Sequence, residues 1–204
     1  MMALEEVVRK LAAPMSYLRI FHSEKIWFDL YLPLFFASFF TAGYTLIPMP
    51  FPLLGTTGLI VQINGLLQVL IGFYIAALAA VATFQGRGMD GFMDGTPPTL
   101  KEKSKGLYKS IPLSRRRFLS YLFGYLALMS LAVFFSGVVV NLVSSSLSQW
   151  ISSLTWAFHY KLGFLFTYLF LVCNIFITTM LGLYYLTVRI HQQKGEIRPP
   201  SKGQ

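Results

Sequence analysis

The sequence predicts an all-α integral membrane protein: a four-transmembrane-helix bundle with N and C termini cytoplasmic. Three observations carry this. The chain has 204 residues and is 55% hydrophobic but only 12% charged, against about 25% charged in soluble domains. Four apolar segments are long enough to cross a bilayer, whose hydrocarbon core of about 30 Å needs about 20 helical residues. Sixteen of the seventeen Lys and Arg residues fall on one side of that four-span plan. They lie in the N-terminal arm, the central loop and the tail, and only Lys161 is left over. Cytoplasmic flanks of membrane helices are enriched in Lys and Arg, so both ends and the central loop are placed inside.

Residues 1–26 form a cytoplasmic amphipathic arm. Leu4, Val7, Val8 and Leu11 follow a helical i, i+3, i+4, i+7 spacing, with Glu5, Glu6, Arg9 and Lys10 off the stripe, until Pro14 interrupts it. The charges of this stretch break any signal-peptide core, so no cleavable leader is expected. The membrane domain covers 27–188. Its first span, Trp27 to Ile47, is aromatic-rich and is stopped by Pro48, Pro50 and Pro52. The second runs from Leu59 to Phe84, the third from Phe118 to Leu142 and the fourth from Leu162 to Val188. An even number of crossings returns both termini to the same side, as the charge distribution requires.

The two outer connections are short. Residues 48–58 carry no charge, and 143–161 hold Trp150, Trp156, His159 and Lys161. A short helix lying flat under the headgroups, Leu147 to Phe158, fits the Trp positions. The inner loop 85–117 divides into a turn-rich half, GRGMDGFMDGTPP, and a basic half, KEKSKGLYKSIPLSRRR. No strand is expected in it. The tail 189–204, with Gly195, Pro199 and Pro200, reads as disordered.

Chemistry-bearing residues are sparse. No catalytic residue, cofactor site or metal site is called for: His22, His159 and His191 sit in separate segments, and Cys173 is the single cysteine. Asp29 is the acid nearest a span, placed at its inner end and four residues from Lys25, an ion-pair spacing. Asp90 and Asp94 read as turn residues. The excess of positive charge, +9, meets lipid headgroups first and implies no direct nucleic-acid binding. On the second span Gly65, Gln68, Gly72, Ala76 and Ala80 fall along one face, a small-residue stripe that lets another helix approach closely, within the chain or between subunits. Asn64 lies one turn away, and Asn174 and Thr178 on the fourth span are candidate partners for these amides. Arg87, Lys101, Lys103, Lys105, Lys109, Arg115, Arg116 and Arg117 form the candidate surface for a cytoplasmic partner.

Two stretches carry a family resemblance: AAVATFQGRGMDGFMDG at 79–95, and PLSRRRFLSYLFGYLALMSLAVF at 112–134. With the four-span plan, they make the chain resemble the membrane subunit of the Kiwa anti-phage defence system, a bacterial inner-membrane protein. The resemblance implies a sensor of infection at the membrane. It also implies a homo-oligomer, a homotetramer, holding a separate cytoplasmic DNA-binding effector of the same system. A pore-forming, holin-like effector is the alternative, drawn from Gln62, Asn64, Gln68 and Asn174. A lipid-acting enzyme is the third reading and would need His22, His191 and Asp29 to cluster.

Overall fold

The computed structural model of the protein describes residues 2–22, 24–48, 50–83, 90–92, 97–104, 107–146, 149 and 155–189. Five α-helices dominate it: α1 Met2–Leu11, α2 Leu32–Leu46, α3 Leu59–Thr83, α4 Arg115–Leu142 and α5 Ala157–Tyr184. A 3-10 turn at Ala13–Arg19 links α1 to β1 Ile20–Phe21, and the inner loop forms β2 Thr99–Ser104 and β3 Leu107–Pro112.

Among the described residues, three helices are long and apolar enough to cross a membrane: α3, α4 and the run Ala157–Thr187 that contains α5. Only 17% of the most apolar stretch of α3 is buried. A helix that is apolar all round yet mostly uncovered belongs in lipid, which makes this a membrane-associated protein of all-α class. The α2 helix is shorter, 15 residues, because the expected span from Trp27 opens as a π-helical turn, Trp27–Tyr31.

The helices pack as a row in the order α3–α4–α5–α2. The main core gathers Leu67, Tyr74 and Val81 of α3, Leu122, Phe123 and Leu126 of α4, and Ile175 of α5. A second, smaller core joins Ala37 and Tyr44 of α2 to Leu165 and Leu169 of α5, closed by Leu53. No packed seam joins α2 to α3 among the described residues, so each forms an edge of the row.

The connection from α2 to α3 folds back on the start of α3. Leu59 N–H donates to Pro52 O at 3.0 Å and Ile60 N–H to Leu53 O at 3.2 Å, which occupies two amide donors that a helix start leaves unpaired. Gly58 is required there, since a Cβ would stand 2.7 Å from the Leu54 carbonyl carbon. Gly55, at φ +94, adopts the left-handed conformation that glycine tolerates. Its N–H donates to Asn141 Oδ1 at 2.9 Å, tying this connection to the far end of α4.

At the opposite end of the row lie the 3-10 turn, the start of α4, the end of α5 and a three-stranded antiparallel sheet, ordered β1-β2-β3. Ile20 pairs with Leu100, and β2 and β3 form a hairpin from Thr99↔Pro112 to Ser104↔Leu107. This sheet corrects the expectation of a strandless loop. Leu100, at 3% exposure, is buried with Ile20 and Leu113. These few apolar positions seat a segment whose lysines hide the alternation. The α4 helix begins three residues earlier than expected because Ser114 caps it, its Oγ accepting from Arg117 N–H at 3.4 Å.

Candidate functional site: a polar junction among the helices

The π-helical turn at Trp27–Tyr31 has a cause in the sequence. Pro33 stands four residues after Asp29 and has no N–H to give to the Asp29 carbonyl, and its ring crowds that carbonyl. The backbone answers with a wider turn, in which Leu32 N–H donates to Trp27 O. The freed Asp29 carbonyl is taken instead by Asn174 of α5, whose Nδ2 donates to it at 2.8 Å. Asn174 Oδ1 in turn accepts from Tyr125 OH of α4 at 2.8 Å.

The Asp29 carboxylate completes the junction. Oδ1 accepts from Tyr17 OH at 2.9 Å, and Oδ2 pairs with Lys25 Nζ. The Lys25 ammonium also lies 4.3 Å from the centre of the Tyr17 ring, a cation–π contact. Tyr17 stacks on Tyr125 with ring centroids 4.9 Å apart. Tyr17, Tyr125 and Asn174 are buried, and the side chains of Lys25 and Asp29 are only 11% and 14% exposed. An ion pair this enclosed is held by its hydrogen bonds, and removing one partner strands the other.

Its position along the helices is informative. Tyr125 lies eight residues past Arg117, about 12 Å along α4 at 1.5 Å per residue. Asn174 lies thirteen residues past Lys161, about 20 Å along α5 on the same measure. The junction therefore sits well inside the apolar length of these helices, not at their ends. Asp29 itself is the fifth residue of the helical run 25–46, near the start of that run, where its sequence position puts it. The i, i+4 spacing to Lys25 announced the pair, but the depth comes from contacts 145 residues apart in the chain.

A cavity of about 30 Å³ opens beside the junction, lined by His22, Lys25, Pro98, Phe118 and Tyr185 among others. That is room for a single water, not for a lipid headgroup. His191, Arg87, Lys105, Trp150, the turn-rich half of the loop except for 90–92 and 97–98, and the tail from 190 lie outside the described residues.

The expected packing stripe is placed differently from the junction. Gly65, Gln68, Gly72 and Ala76 are exposed and Ala80 is half-buried. A Cβ on Gly65 or Gly72 would meet nothing within 4 Å, so among the described residues the stripe is not a seam. The seam between α3 and α4 uses Asn64 instead. Its Nδ2 donates to Phe134 O at 3.4 Å, and its amide fills the space left by Gly137, where a Cβ would stand 2.7 Å from Asn64 Oδ1. Asn174 does not pair with Asn64 or Gln68, because it is held by Tyr125 and Asp29. Thr178 is buried and its hydroxyl has no partner among the described residues. The contact between α3 and α5 is Tyr74 OH with Thr179 Oγ1, at 2.6 Å, two residues that sequence periodicity does not single out.

The candidate partner surface separates into two parts. Lys101 is exposed on β2. Lys103 lies on β2 as well, and Lys109 on β3 stands in register with Glu102. Arg115 is buried at 8% exposure, which makes it an anchor for the start of α4. Arg116 Nε pairs with Asp90 Oδ1 at 3.0 Å, so Asp90 does more than form a turn. Arg117 is exposed. No protein-family model, no curated protein and no solved structure matches the chain.

Proposed function

We propose that the protein is a four-span scaffold and sensor subunit of the bacterial inner membrane, part of an anti-phage defence complex like Kiwa. In this reading both termini and the sheet are cytoplasmic, and the sheet holds a soluble DNA-binding effector. The observation that carries it is the β2–β3 hairpin. This lysine-bearing element is seated by Ile20, Leu100 and Leu113 on the end of the row where α4 starts and α5 finishes. A basic hairpin in that position suits an acidic patch on a partner.

The fourth crossing is completed by the helical run 25–46, made of the π-helical turn and α2, which starts beside the junction and extends about 26 Å beyond Asp29 with the rise of an α-helix. Arg115–Arg117 then mark the inner boundary, and Trp156 and Lys161 the outer. The two lengths measured to the junction, about 12 and about 20 Å, together match a hydrocarbon core of about 30 Å. Asp29 and Lys25 thereby become intramembrane ionisable residues, a placement that generally marks function. The homotetramer that the family resemblance implies can use the two edges of the row. One edge presents the groove of Gly65, Gly72 and Ala76, and the other the rings Phe35 and Phe39, both more than 60% exposed. A ring edge seated in a small-residue groove closes a cycle of identical contacts.

The test replaces Lys101, Lys103, Lys105 and Lys109 by Gln and leaves Arg115 and Arg116 in place. The variant should insert and assemble normally yet lose the effector on co-purification in gentle detergent. Full recovery of the effector would overturn the hairpin assignment. The pore reading loses support from Asn64 and Asn174, both hydrogen-bonded within the chain. Expression alone with a voltage-sensitive dye should leave the membrane polarised, and rapid depolarisation would favour the pore.

A further inference from the structure

The same lengths fix the depth of the N-terminal arm. Pro14 packs against Gly124, where a Cβ would stand 3.5 Å from Pro14 Cβ, and Tyr17 stacks on Tyr125. Those two α4 residues lie seven and eight positions past Arg117, about 10 to 12 Å along the helix. With Arg115–Arg117 at headgroup level, the 3-10 turn sits beside α4 at the depth of the acyl chains. Its outward side chains suit that depth. Met15 and Leu18 are 36% and 51% exposed, and beyond β1 Ile26 and Trp27 are exposed as well.

Directly before this turn comes α1, whose main described contact is with the turn itself. Val7, Val8 and Leu11 form its exposed apolar stripe, and the Glu6–Lys10 pair, at 2.9 Å, marks its polar side. We propose that α1 and the 3-10 turn lie flat in the inner leaflet as a wedge. Val7, Val8 and Leu11 face the acyl chains, and Glu6 and Lys10 face the headgroups. A helix with one apolar stripe and a charged opposite face takes this position at a bilayer interface. Lipid is the occupant because the 3-10 turn that carries α1 is held at acyl-chain depth by the contact of Pro14 with α4. The inference rests on the bilayer placement proposed above and not on the scaffold role. If that role also holds, the wedge supplies a physical route from leaflet packing to Asp29, through Tyr17.

The experiment uses the full chain in lipid nanodiscs with Cys173→Ala, so that a single introduced cysteine carries an environment-sensitive dye. Val8→Cys is compared with Phe176→Cys on α5, an exposed ring away from both edges of the row, and with Lys101→Cys on the sheet. Quenching by nitroxide-labelled lipid and by aqueous iodide is read for each. The proposal expects Val8→Cys to lose emission to the lipid quencher as Phe176→Cys does, while Lys101→Cys responds to iodide alone. A Val8→Cys dye quenched only by iodide would overturn it, placing the arm in the cytoplasm. Protection from both quenchers would also overturn it, showing the stripe covered by a second copy or another protein. A Phe176→Cys dye insensitive to lipid would instead overturn the bilayer placement itself.

Discussion

Around Asp29, side chains from the 3-10 turn, the π-helical turn, α4 and α5 are locked together by hydrogen bonds and an ion pair. Along the outer face of α3, Gly65 and Gly72 meet nothing. Both regions lie within the apolar length of the helices, yet one holds the fold of the single chain and the other is left uncovered by the described residues. Polar groups surrounded by apolar material must be satisfied where they stand, so the junction is closed. Small residues incur no such penalty when exposed to lipid, so a face built of them can wait for a second helix. A substitution at the junction should therefore register in stability, and one on the stripe in assembly.

The largest effect should come from Asp29→Asn. It leaves the Lys25 ammonium enclosed without a counter-charge, at a cost of about 3–5 kcal/mol, read as a fall in the thermal midpoint of the detergent-solubilised protein. The double change Lys25→Met with Asp29→Leu should recover most of that loss, because a volume-matched apolar pair is often neutral in place of a buried ion pair. If the double variant were as unstable as Asp29→Asn, charge stranding would not be the cause.

Next comes Tyr17→Phe. It keeps the stack on Tyr125 and deletes one hydrogen bond to a charged acceptor, about 1.5–3 kcal/mol, measured in the same melt. Gly137→Ala should cost a similar or smaller amount, about 1–3 kcal/mol from overpacking against Asn64. Shortening the neighbour in Gly137→Ala with Asn64→Ala should relieve part of that cost, and a double-mutant cycle without coupling would contradict the packing. The smallest effect on the single chain belongs to Gly72→Ala. It should be neutral or stabilise by up to about 1 kcal/mol through helix propensity. The bulkier Gly72→Leu should likewise leave the melt of the dissociated chain unchanged, but reduce the cross-linked oligomer. A loss of stability without a change in assembly would show that the stripe packs within the chain after all.

Hydrophobic length made α3, α4 and α5 legible in the sequence, with ends shifted by a few residues. Helical spacing made the Lys25–Asp29 pair legible too. The junction as a whole was not. Tyr17 is a single aromatic in a Pro-broken segment, and Asn174 is one amide in an apolar helix, so neither carries a periodic signal. Pro33 was a usable clue, since a proline four residues after an acid frees that residue's carbonyl for an outside donor. The hairpin escaped because lysines alternate with its few apolar residues, and burial of Leu100 depends on Ile20, far away in the chain. The stripe was legible as a surface but not as to what it faces, because small-residue spacing is the same for a seam within a chain and one between chains.

The claim that the Asp29 junction fastens the N-terminal arm to the helices is tested most directly by amide hydrogen exchange in nanodiscs, comparing the native chain with Asp29→Asn. The junction predicts that protection is lost across Ala13–Ile20, which follow Tyr17, while Leu59 and Ile60 at the other end of the row keep theirs. Unchanged protection at Ala13–Ile20 would contradict it and leave the arm held by packing against α4 alone.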